Sequence, residues 1–352
     1  MISRRILVMA GGTGGHVYPA LAVAQKLRND GWLVDWVGTD RGLEAKAVPA
    51  QDFELHTLPM RGLRGKGLIA KLEGFILLIV ALFSALQLVW RLKPDVALGM
   101  GGYASGPAGL ACAVLRVPLV IHEQNSVAGT TNRLLAPLAT RILCGLPNAF
   151  SQSVKVEFVG NPVRREILQI GEQVREFTDA FTAQRPLKLL VIGGNLGSAG
   201  LNALVPESVH QLYESGRGEQ LAVRHQCGAQ HLEATLAAYG KLPADRIEVS
   251  RFIDDMAAAY LWADLVVCRS GALTVSELAI TGSPSMLVPL PHAIDDHQTH
   301  NAKVLSGEGA GQLLLQRELT AERLARFMSG YLDLPSRLDA MSKAARVVAR
   351  PN

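Results

Sequence analysis

Four glycines within five residues form the first segment of the chain that could do chemistry. Residues 11–15 read Gly-Gly-Thr-Gly-Gly and are followed at once by His16. Glycine lets a backbone approach a phosphate closely, and the start of a helix offers N–H groups to an anion. The alternative is a plain strand-to-helix turn, which needs fewer glycines. Val17 stands where a dinucleotide fingerprint has its third glycine, and no P-loop lysine follows, so the segment predicts a phosphate-binding loop of another class.

Two further glycine segments follow apolar runs. Residues 193–197 read Gly-Gly-Asn-Leu-Gly after the run Leu187–Ile192, and Gly101 and Gly102 end another such run. Open α/β sheets bind ligands at the carboxyl ends of their strands, so both segments are placed where a ligand could lie. Residues 122–125, His-Glu-Gln-Asn, end a third run and add polar side chains at the same kind of edge.

Residues 269–277 read Arg-Ser-Gly-Ala-Leu-Thr-Val-Ser-Glu and follow a strand-like run at 265–268. Ser270 and Gly271 are expected to cap a helix whose first turn offers N–H groups to a diphosphate. Glu277 falls roughly two turns further on, where a carboxylate could accept hydrogen bonds from ribose hydroxyls. The alternative reading of Glu277, a solvated helix glutamate, stays open at this point.

Three histidines and two aspartates are concentrated in residues 292–301. Metal ligands on a helix usually lie at positions i and i+4, whereas the histidine spacings here are five and three residues. We therefore expect a polar loop that lines the site, and no metal.

The elements that must position these segments are strands and helices in alternation. Strand-like apolar runs alternate with helical patterns along the whole chain, which indicates an α/β fold with parallel sheets. After the first glycine segment we expect a helix over residues 20–27. Further strands are expected at 33–37, 96–100 and 119–122.

The opening pattern of strand, glycine loop and helix returns at Leu187–Ile192. Two such units about half a chain apart predict two Rossmann-like domains. Asn-Pro within residues 160–164 breaks regular structure, so we expect the domains to span residues 1–160 and 161–352. The polar stretch 170–184 is expected to be a loop or a short helix.

Composition excludes several classes of protein. Of the 352 residues, 49% are apolar and 19% charged, which is typical of a folded globular chain rather than a disordered one. The four cysteines are far apart, which argues against a zinc site or a disulfide scaffold and fits a reducing cytosol. Aromatic and basic residues do not alternate, so a nucleic-acid surface has no support. The first apolar run is too short for a secretory signal.

Charge is divided unevenly between the two predicted domains. Residues 1–160 contain 16 Lys and Arg against 10 Asp and Glu, whereas residues 161–352 contain 19 against 21. A basic first half indicates an anionic partner, either phosphates or a lipid surface.

Residues 72–90 are apolar on nearly every helical face, but the apolar core is shorter than the ~20 residues of a membrane span. A buried helix is the alternative reading. Basic residues and a tryptophan flank the segment, which favours contact with an anionic membrane interface. These flanking residues are Arg61, Arg64, Lys66, Lys71, Trp90, Arg91 and Lys93.

Taken together and in order, these motifs resemble the MurG family of glycosyltransferases over nearly the whole chain. The matching segments are 11–16 (Gly-Gly-Thr-Gly-Gly-His), 62–66 (Gly-Leu-Arg-Gly-Lys), 101–103 (Gly-Gly-Tyr), 122–125, 160–164 (Gly-Asn-Pro-Val-Arg) and 270–277. The resemblance implies the GT-B fold, in which two Rossmann-like domains with parallel sheets face each other across a cleft.

The resemblance also implies an activity. N-acetylglucosamine would pass from UDP-N-acetylglucosamine to the 4-hydroxyl of lipid I (undecaprenyl-diphospho-N-acetylmuramoyl-pentapeptide) with inversion, giving lipid II for peptidoglycan. No cofactor is implied. The enzyme would lie peripherally on the anionic cytoplasmic face of the inner membrane, with cell-wall synthesis proteins as candidate partners.

Site residues are carried over from the family onto matching positions. The loops of the first domain would face the acceptor. For the general base we expect His16, because imidazole titrates near working pH and this residue follows the glycine loop, with Glu123 as second choice. Glu277 would hold the ribose, and the helix start before it would face the diphosphate. The implied substrate contacts are Thr13, Gly14, Gly15, Asn125, Arg164, Asn195, Ile253, Ala272, Leu273, Thr274, Val275, Ser276, Glu277 and Gln298.

The chain departs from the family in its second glycine loop, where Asn195 and Leu196 replace the usual Ser-Gln. Asn195 could still donate a hydrogen bond in place of the serine. In the family, the chain continues beyond this C-terminus into a helix that packs back on the first domain, so either that helix is missing here or this sequence stops short of it.

Three other functions fit parts of the sequence. An NAD-dependent oxidoreductase could use Asp35 as its ribose-binding acid, but the third glycine is missing. A soluble UDP-sugar epimerase would share the fold but would not need the apolar helix. A membrane scaffold without catalytic activity could use the nucleotide site for regulation alone.

Overall fold

The computed structural model describes residues 4–60, 68–173, 176–177, 179–194, 196–291 and 293–350. The chain divides into two compact units, Met1–Pro162 and Val163–Pro351. The division falls two residues after the boundary predicted from Asn-Pro. Each unit is an α/β body with one parallel sheet.

The first unit contains a seven-stranded parallel sheet in the order β3-β2-β1-β4-β5-β6-β7. The chain order reverses between β1 and β4, the position at which open α/β sheets bind ligands. The strands are β1 (Arg5–Ala10), β2 (Leu33–Gly38), β3 (Glu54–Thr57), β4 (Val96–Gly101), β5 (Leu119–Glu123), β6 (Arg141–Cys144) and β7 (Val156–Phe158).

Helices cover both faces of this sheet. The helices are α1 (Gly14–Asn29), α2 (Glu44–Ala47), α3 (Leu68–Leu92), α4 (Ser105–Val114) and α5 (Thr130–Leu135). One face packs Val8 and Trp36 against α1, and the other packs Leu7 and Met9 against α3 and α4. Because side chains alternate across a strand and both faces are covered, β1 is a continuous apolar run.

The second unit contains a six-stranded parallel sheet in the order β10-β9-β8-β11-β12-β13. The strands are β8 (Leu187–Ile192), β9 (Leu221–Gln226), β10 (Ile247–Ser250), β11 (Leu265–Cys268), β12 (Ser285–Leu287) and β13 (Gln312–Leu313). The helices are α6 (Arg165–Gly171), α7 (Ala199–Glu214), α8 (Leu232–Tyr239), α9 (Met256–Trp262), α10 (Ala272–Thr281), α11 (His297–Ser306), α12 (Ala321–Asp333) and α13 (Ser336–Val348).

Two expectations about local structure were confirmed, each with a difference in detail. The first helix contains the predicted residues 20–27 but begins earlier, at Gly14, inside the glycine segment. The described residues between α6 and β8 form a loop as expected, but Phe177 and Phe181 of this loop are buried in the core of the second unit. Two isolated aromatics among polar residues leave no periodic signal, so burial there could not be read from the pattern.

Helix α3 is longer than the apolar segment suggested, and over residues 74–92 it buries one face and exposes the other. Ala81, Ala85 and Leu88 are buried on that face, which lies against α4. The opposite face exposes large apolar side chains: Phe75, Ile76, Ile79, Val80, Phe83 and Trp90. Within the described residues, Gly74–Leu92 is the one helix long and apolar enough to cross a membrane by length and composition alone.

The basic collar before α3 can be compared with the structure only in part. Arg61, Arg64 and Lys66 lie outside the described residues, as does the side chain of Lys71. The flanking Arg91 and Lys93 follow the exposed Trp90 at the other end of the helix.

Candidate functional site

The first glycine loop follows the carboxyl end of β1 and opens α1. Thr13 is the N-cap residue in extended conformation, and Gly14 and Gly15 are the first residues of the helix. The first N–H groups of a helix have no partner within it, so this turn can present donors to an anion. Loop and helix are therefore arranged as the glycine pattern predicted.

A second glycine pair packs directly beneath this loop. Gly102 has a φ of +97°, and a Cβ there would lie 2.5 Å from the carbonyl oxygen of Gly11. The backbone N–H of Gly11 donates to the carbonyl of Gly101 at 3.2 Å. No side chain fits at Gly102 against the first loop, which explains glycine there, whereas a Cβ at Gly11 would instead lie 2.5 Å from Oε1 of Glu44.

Glu44 holds the first glycine loop from the other side, and sequence reasoning missed it. Its side chain is fully buried and accepts hydrogen bonds from the backbone N–H of Gly12 at 2.8 Å and from the N–H and hydroxyl of Thr39. A Cβ at Gly42 would overlap this carboxylate. Glu44 is 32 residues from Gly12 in sequence, so no local pattern pairs them.

His16 lies in the first turn of α1, and its contact with Gly11 indicates which ring nitrogen carries the proton. Its Nδ1 is 3.3 Å from the carbonyl oxygen of Gly11. Because a carbonyl only accepts, the neutral ring carries its proton on Nδ1 and its lone pair on Nε2. The ring packs over Gly101, where a Cβ would come within 2.9 Å of Nε2.

Glu123 does not have the geometry of a general base. It is only 1% exposed, and each oxygen already accepts two hydrogen bonds. Oε1 accepts from the backbone N–H and the amide of Asn125, and Oε2 from the N–H of Gly129 and the amide of Asn132. These four bonds fill the lone-pair sites of a carboxylate. Glu123 therefore shapes the loop that carries Asn125, and the geometry favours His16 over it.

The neighbouring His122 is buried and structural. Its Nε2 donates to the carbonyl of Gly160 at 3.1 Å, and its Nδ1 accepts from the amide of Gln124 at 3.2 Å. Burial lowers the pKa of His122 below its usual value. The ring thus stays neutral, and its hydrogen bond to Gly160 links the end of β5 to the last residues of the first unit.

In the second unit, helix α10 begins with Gly271 as its N-cap residue. Of the two residues expected to cap this helix, Gly271 does so and Ser270 does not, since the Ser270 hydroxyl instead donates to the carbonyl of Gln298 at 2.8 Å. The amide of Asn301 donates to the carbonyl of Ser270. These bonds bring α11 to the start of α10, so the predicted contact Gln298 lies beside the predicted diphosphate site.

Glu277 is largely buried on α10 and has two charged or polar partners. Its Oε2 accepts from the hydroxyl of Tyr260 at 3.0 Å, and its Oε1 lies 3.4 Å from Nη2 of Arg164. Burial raises the pKa of Glu277 above its usual value, while the charge of Arg164 and the hydroxyl of Tyr260 lower it. The reading of Glu277 as a solvated helix residue is wrong.

Neighbouring residues of α10 divide between two faces. Leu273 and Thr274 are partly exposed on the same face as Glu277, as positions three and four apart on a helix require. The other three predicted contacts, Ala272, Val275 and Ser276, are buried.

Arg269, just before α10, ties three loops together. Its guanidinium donates to the hydroxyl of Ser198, to the carbonyls of Val288 and Pro289, and to Oε1 of Gln316. Ser198 is the N-cap of α7, directly after the second glycine loop. Sequence reasoning missed this role because all partners are distant in the chain.

The second glycine loop rests on the turn that follows β9. Gly197 has a φ of +76°, and a Cβ there would lie 1.8 Å from the carbonyl oxygen of Cys227. Gly228 faces the loop in return, with a Cβ position 2.4 Å from the carbonyl oxygen of Leu196. Leu196 is exposed, and Asn195 lies outside the described residues.

The predicted contact Ile253 also lies beyond the carboxyl end of a strand. Ile253 follows β10 and is partly buried. Two residues earlier, the backbone carbonyl of Arg251 accepts a hydrogen bond from the side-chain amide of Gln226, at the end of β9.

The histidine-rich segment is largely helical rather than a loop. His297 and His300 lie on α11, after an N-cap at Asp296, and His292 lies outside the described residues. Among the described residues, Asp35, Glu54 and His56 form the one group with atoms close enough to share a metal.

Asp35 does not fit the ribose-binding acid of a dinucleotide site. It is the third residue of β2, in the half of the strand far from the carboxyl end. Its oxygens lie 3.1 Å from Nε2 of His56 and 3.7 Å from Nε of Arg5. This geometry removes the main support for an oxidoreductase.

Two family models together match most of the chain. The model of the glycosyltransferase family 28 N-terminal domain matches residues 6–144, and that of the glycosyltransferase family 28 C-terminal domain matches residues 188–351.

Relatives match nearly end to end. One from Tolumonas auensis, named UDP-N-acetylglucosamine–N-acetylmuramyl-(pentapeptide) pyrophosphoryl-undecaprenol N-acetylglucosamine transferase, is 45% identical over 348 residues, covering 99% of this chain and 96% of the relative. A protein of the same name from Pseudomonas paraeruginosa is 49% identical, covering 98% and 94%.

Solved structures agree with the relatives. The crystal structure of Acinetobacter baumannii MurG has a TM-score of 0.82 at 39% identity and covers 99% of this chain and 96% of that one. A UDP-N-acetylglucosamine 2-epimerase structure from Listeria monocytogenes, at 15% identity and a TM-score of 0.63, covers 97% and 91% and shares the fold alone. The predicted GT-B class, with two Rossmann-like domains and parallel sheets, is confirmed.

Proposed function

Because this chain belongs to glycosyltransferase family 28, and within it to the MurG group, we propose that it transfers N-acetylglucosamine from UDP-N-acetylglucosamine to lipid I. The product would be lipid II, the precursor of peptidoglycan. The observation that carries the donor half of this proposal is Glu277, held by Tyr260 and Arg164 on the helix whose start could take a diphosphate.

The second unit supplies the donor site. The first turn of α10 offers N–H groups to the diphosphate, and Glu277 accepts hydrogen bonds from the ribose hydroxyls. Gln298 lies beside this helix start through its contact with Ser270. As UDP leaves, negative charge develops on its β-phosphate, and a fixed helix start stabilises that charge.

The first unit supplies the acceptor chemistry. The 4-hydroxyl oxygen of the acceptor attacks the anomeric carbon from the side opposite UDP, and the bond from that carbon to the diphosphate oxygen breaks. His16 Nε2 takes the hydroxyl proton, because the Gly11 carbonyl holds the ring proton on Nδ1. The product is the β-(1→4) linkage.

The apolar face of α3 supports a location of the enzyme at a membrane surface. Lipid I is membrane-held, so an acceptor site in the first unit needs that unit near the bilayer. The exposed side chains of α3, from Phe75 to Trp90, give an interfacial contact without a crossing, since the opposite face is packed in the protein. We assign the chain to the cytoplasmic face of the inner membrane as a peripheral protein.

Acceptor-dependent release of UDP tests the proposal. The purified chain should release UDP from UDP-N-acetylglucosamine only when a lipid I analogue is present, and Glu277→Gln should bind UDP more weakly. Release without acceptor, together with formation of a 2-epimer, would instead support the epimerase. UDP binding without release under any condition would support the scaffold.

A further inference from the structure

The buried hydroxyl of Tyr260 has no part in the donor site as family resemblance describes it. We infer that Tyr260 is a positioning residue that fixes the Glu277 carboxylate for recognition of ribose hydroxyls. This inference rests on the proposed function, because it assigns a role to Tyr260 only if Glu277 receives a uridine nucleotide.

The first support is burial. Tyr260 lies on α9, is 1% exposed, and its hydroxyl is 3.0 Å from Oε2 of Glu277. A carboxylate only accepts, so the phenol donates. A phenylalanine would fill the same volume without burying a polar atom, and a buried hydroxyl costs free energy unless it is hydrogen-bonded. The contact with Glu277 offsets that cost.

The second support is the difference between the two partners of Glu277. Tyr260 is immobilised in the core and holds Oε2. Arg164 is half exposed, lies 3.4 Å from Oε1, and is the N-cap residue of α6, which packs on both α9 and α10. The arginine can therefore move away from Oε1 or share it with a ligand, whereas the tyrosine cannot leave Oε2.

Together these contacts leave a carboxylate fixed at one oxygen and approachable at the other. A carboxylate oxygen has two lone pairs, so Oε1 can accept from a ribose hydroxyl in place of, or beside, Arg164. A carboxylate that is already oriented loses little rotamer freedom on binding, which strengthens the contact. The chemical class recognised is a ribonucleotide with free ribose hydroxyls.

Isothermal titration with two probes tests this role. UDP carries both ribose hydroxyls, and 2′,3′-dideoxyuridine 5′-diphosphate carries neither. Tyr260→Phe should weaken UDP binding about tenfold, the usual effect of losing one hydrogen bond to a charged group. Binding of the dideoxy probe should stay within about twofold of the wild-type protein, since that probe makes no contact with Glu277.

Tyr331→Phe is the matched control. Tyr331 is also buried in the second unit, and its hydroxyl donates to Oε1 of Gln312 at 2.8 Å. This variant removes the same atom from the same kind of environment and should leave both dissociation constants unchanged. In turnover, Tyr260→Phe should raise the KM for UDP-N-acetylglucosamine with little change in kcat, because ribose contacts act equally before and in the transition state.

A double variant supplies a second measurement, which asks whether Tyr260 acts on UDP binding through Glu277. In a Glu277→Gln background, adding Tyr260→Phe should cause no further loss of UDP affinity. Equal weakening of UDP and the dideoxy probe, an unchanged UDP affinity in folded Tyr260→Phe, or a further tenfold loss in the double variant would overturn the inference. Failure of the wild-type protein to bind UDP would overturn the proposed function instead.

Discussion

Glu277 combines a buried position with a task that requires negative charge. Burial favours the protonated carboxyl, whereas Arg164 and Tyr260 favour the carboxylate, and burial dominates, so the pKa of Glu277 is raised. The third neighbouring group, the buried thiol of Cys268, has its own pKa raised to about 12 and stays neutral. The charge of Glu277 therefore depends on pH in a higher range than that of an ordinary glutamate.

From this it follows that UDP binding weakens as pH falls through the raised pKa of Glu277. Protonation removes acceptor capacity toward the ribose, so affinity is full above that pKa and lost below it. The phosphate of UDP also titrates, so the quantity to measure is the ratio of wild-type to Glu277→Gln affinity at each pH. The ratio should fall toward one in acid, and a ratio independent of pH would contradict this role.

The role of His16 as general base can be tested by substitution. Replacing it with glutamine removes the proton acceptor at Nε2 but keeps a polar side chain, and kcat should fall about 10²–10⁴-fold. UDP affinity should be unaffected, because we assign the donor nucleotide to the second unit. Unchanged kcat in a folded His16→Gln variant would exclude His16 as the base.

At the scale of elements, the second glycine loop is predicted to be stabilised by close backbone packing. Gly197 and Gly216 have nearly the same positive φ, +76° and +73°, but only Gly197 has backbone within contact of a Cβ position. Gly216→Ala should lower the free energy of unfolding by about 1 kcal/mol, the cost of the left-handed conformation. Gly197→Ala should cost about 3 kcal/mol or more, since the Cys227 carbonyl must also move.

Urea unfolding of the two variants measures this difference. Both proteins should also be tested for UDP binding, where only Gly197→Ala is expected to show a loss. Equal destabilisation by the two substitutions would mean that the loop relaxes freely and does not need the turn beneath it.

The exposed face of α3 is predicted to bind anionic vesicles. Changing Ile79 and Phe83 to serine removes apolar surface from this face without touching the buried side, and vesicle-bound protein should fall about tenfold in flotation. Leu334 and Val347 are likewise exposed apolar residues, but they lie in the second unit. Their change to serine is the matched control and should leave flotation unaffected, and equal effects of the two pairs would contradict the proposal.

The elements show which features a sequence could reveal. The strand Leu187–Ile192 was predicted with its observed bounds, because a run buried on both faces and ended by glycines is a local signal. The glycine loops and the α10 segment also gave local signals in the sequence. Glu44, Arg269 and Tyr260 left no such signal, because each acts through partners that only the folded chain brings near.

Ser270 shows a different reason why an expectation from the sequence can be wrong. Serine before a helix usually caps it, but here the hydroxyl is taken by the carbonyl of Gln298, 28 residues away. A tertiary contact therefore replaced the local one, and glycine became the N-cap residue.

At the scale of the whole molecule, each unit contains a buried neutral histidine beneath the carboxyl ends of its sheet. His122 in the first unit and His225 in the second both have lowered pKa values caused by burial. His225 accepts from the hydroxyl of Tyr239 at Nδ1 and donates from Nε2 to Asn202, whose amide holds the carbonyl of Cys227. This network supports the turn under the second glycine loop.

The network predicts a loss of stability in mild acid. The pKa of His225 falls from 6.5 to about 4 on folding, so between these values the unfolded chain binds a proton that the folded chain does not. The contribution of His225 is complete above pH 6.5 and decreases by about 3 kcal/mol as pH falls to 4. Urea midpoints of the wild-type protein should drop between pH 7 and 5 more steeply than those of His225→Gln, and parallel curves would contradict this.

The central claim about this protein is the identity of its donor and its acceptor. The most direct measurement is isolation of the product formed by the purified chain from UDP-N-acetylglucosamine and a lipid I analogue, with NMR of the new linkage. We predict one N-acetylglucosamine attached in β-configuration to the 4-hydroxyl of the N-acetylmuramoyl residue, with one UDP released for each linkage. An unmodified acceptor, or a product with retained α-configuration, would contradict it.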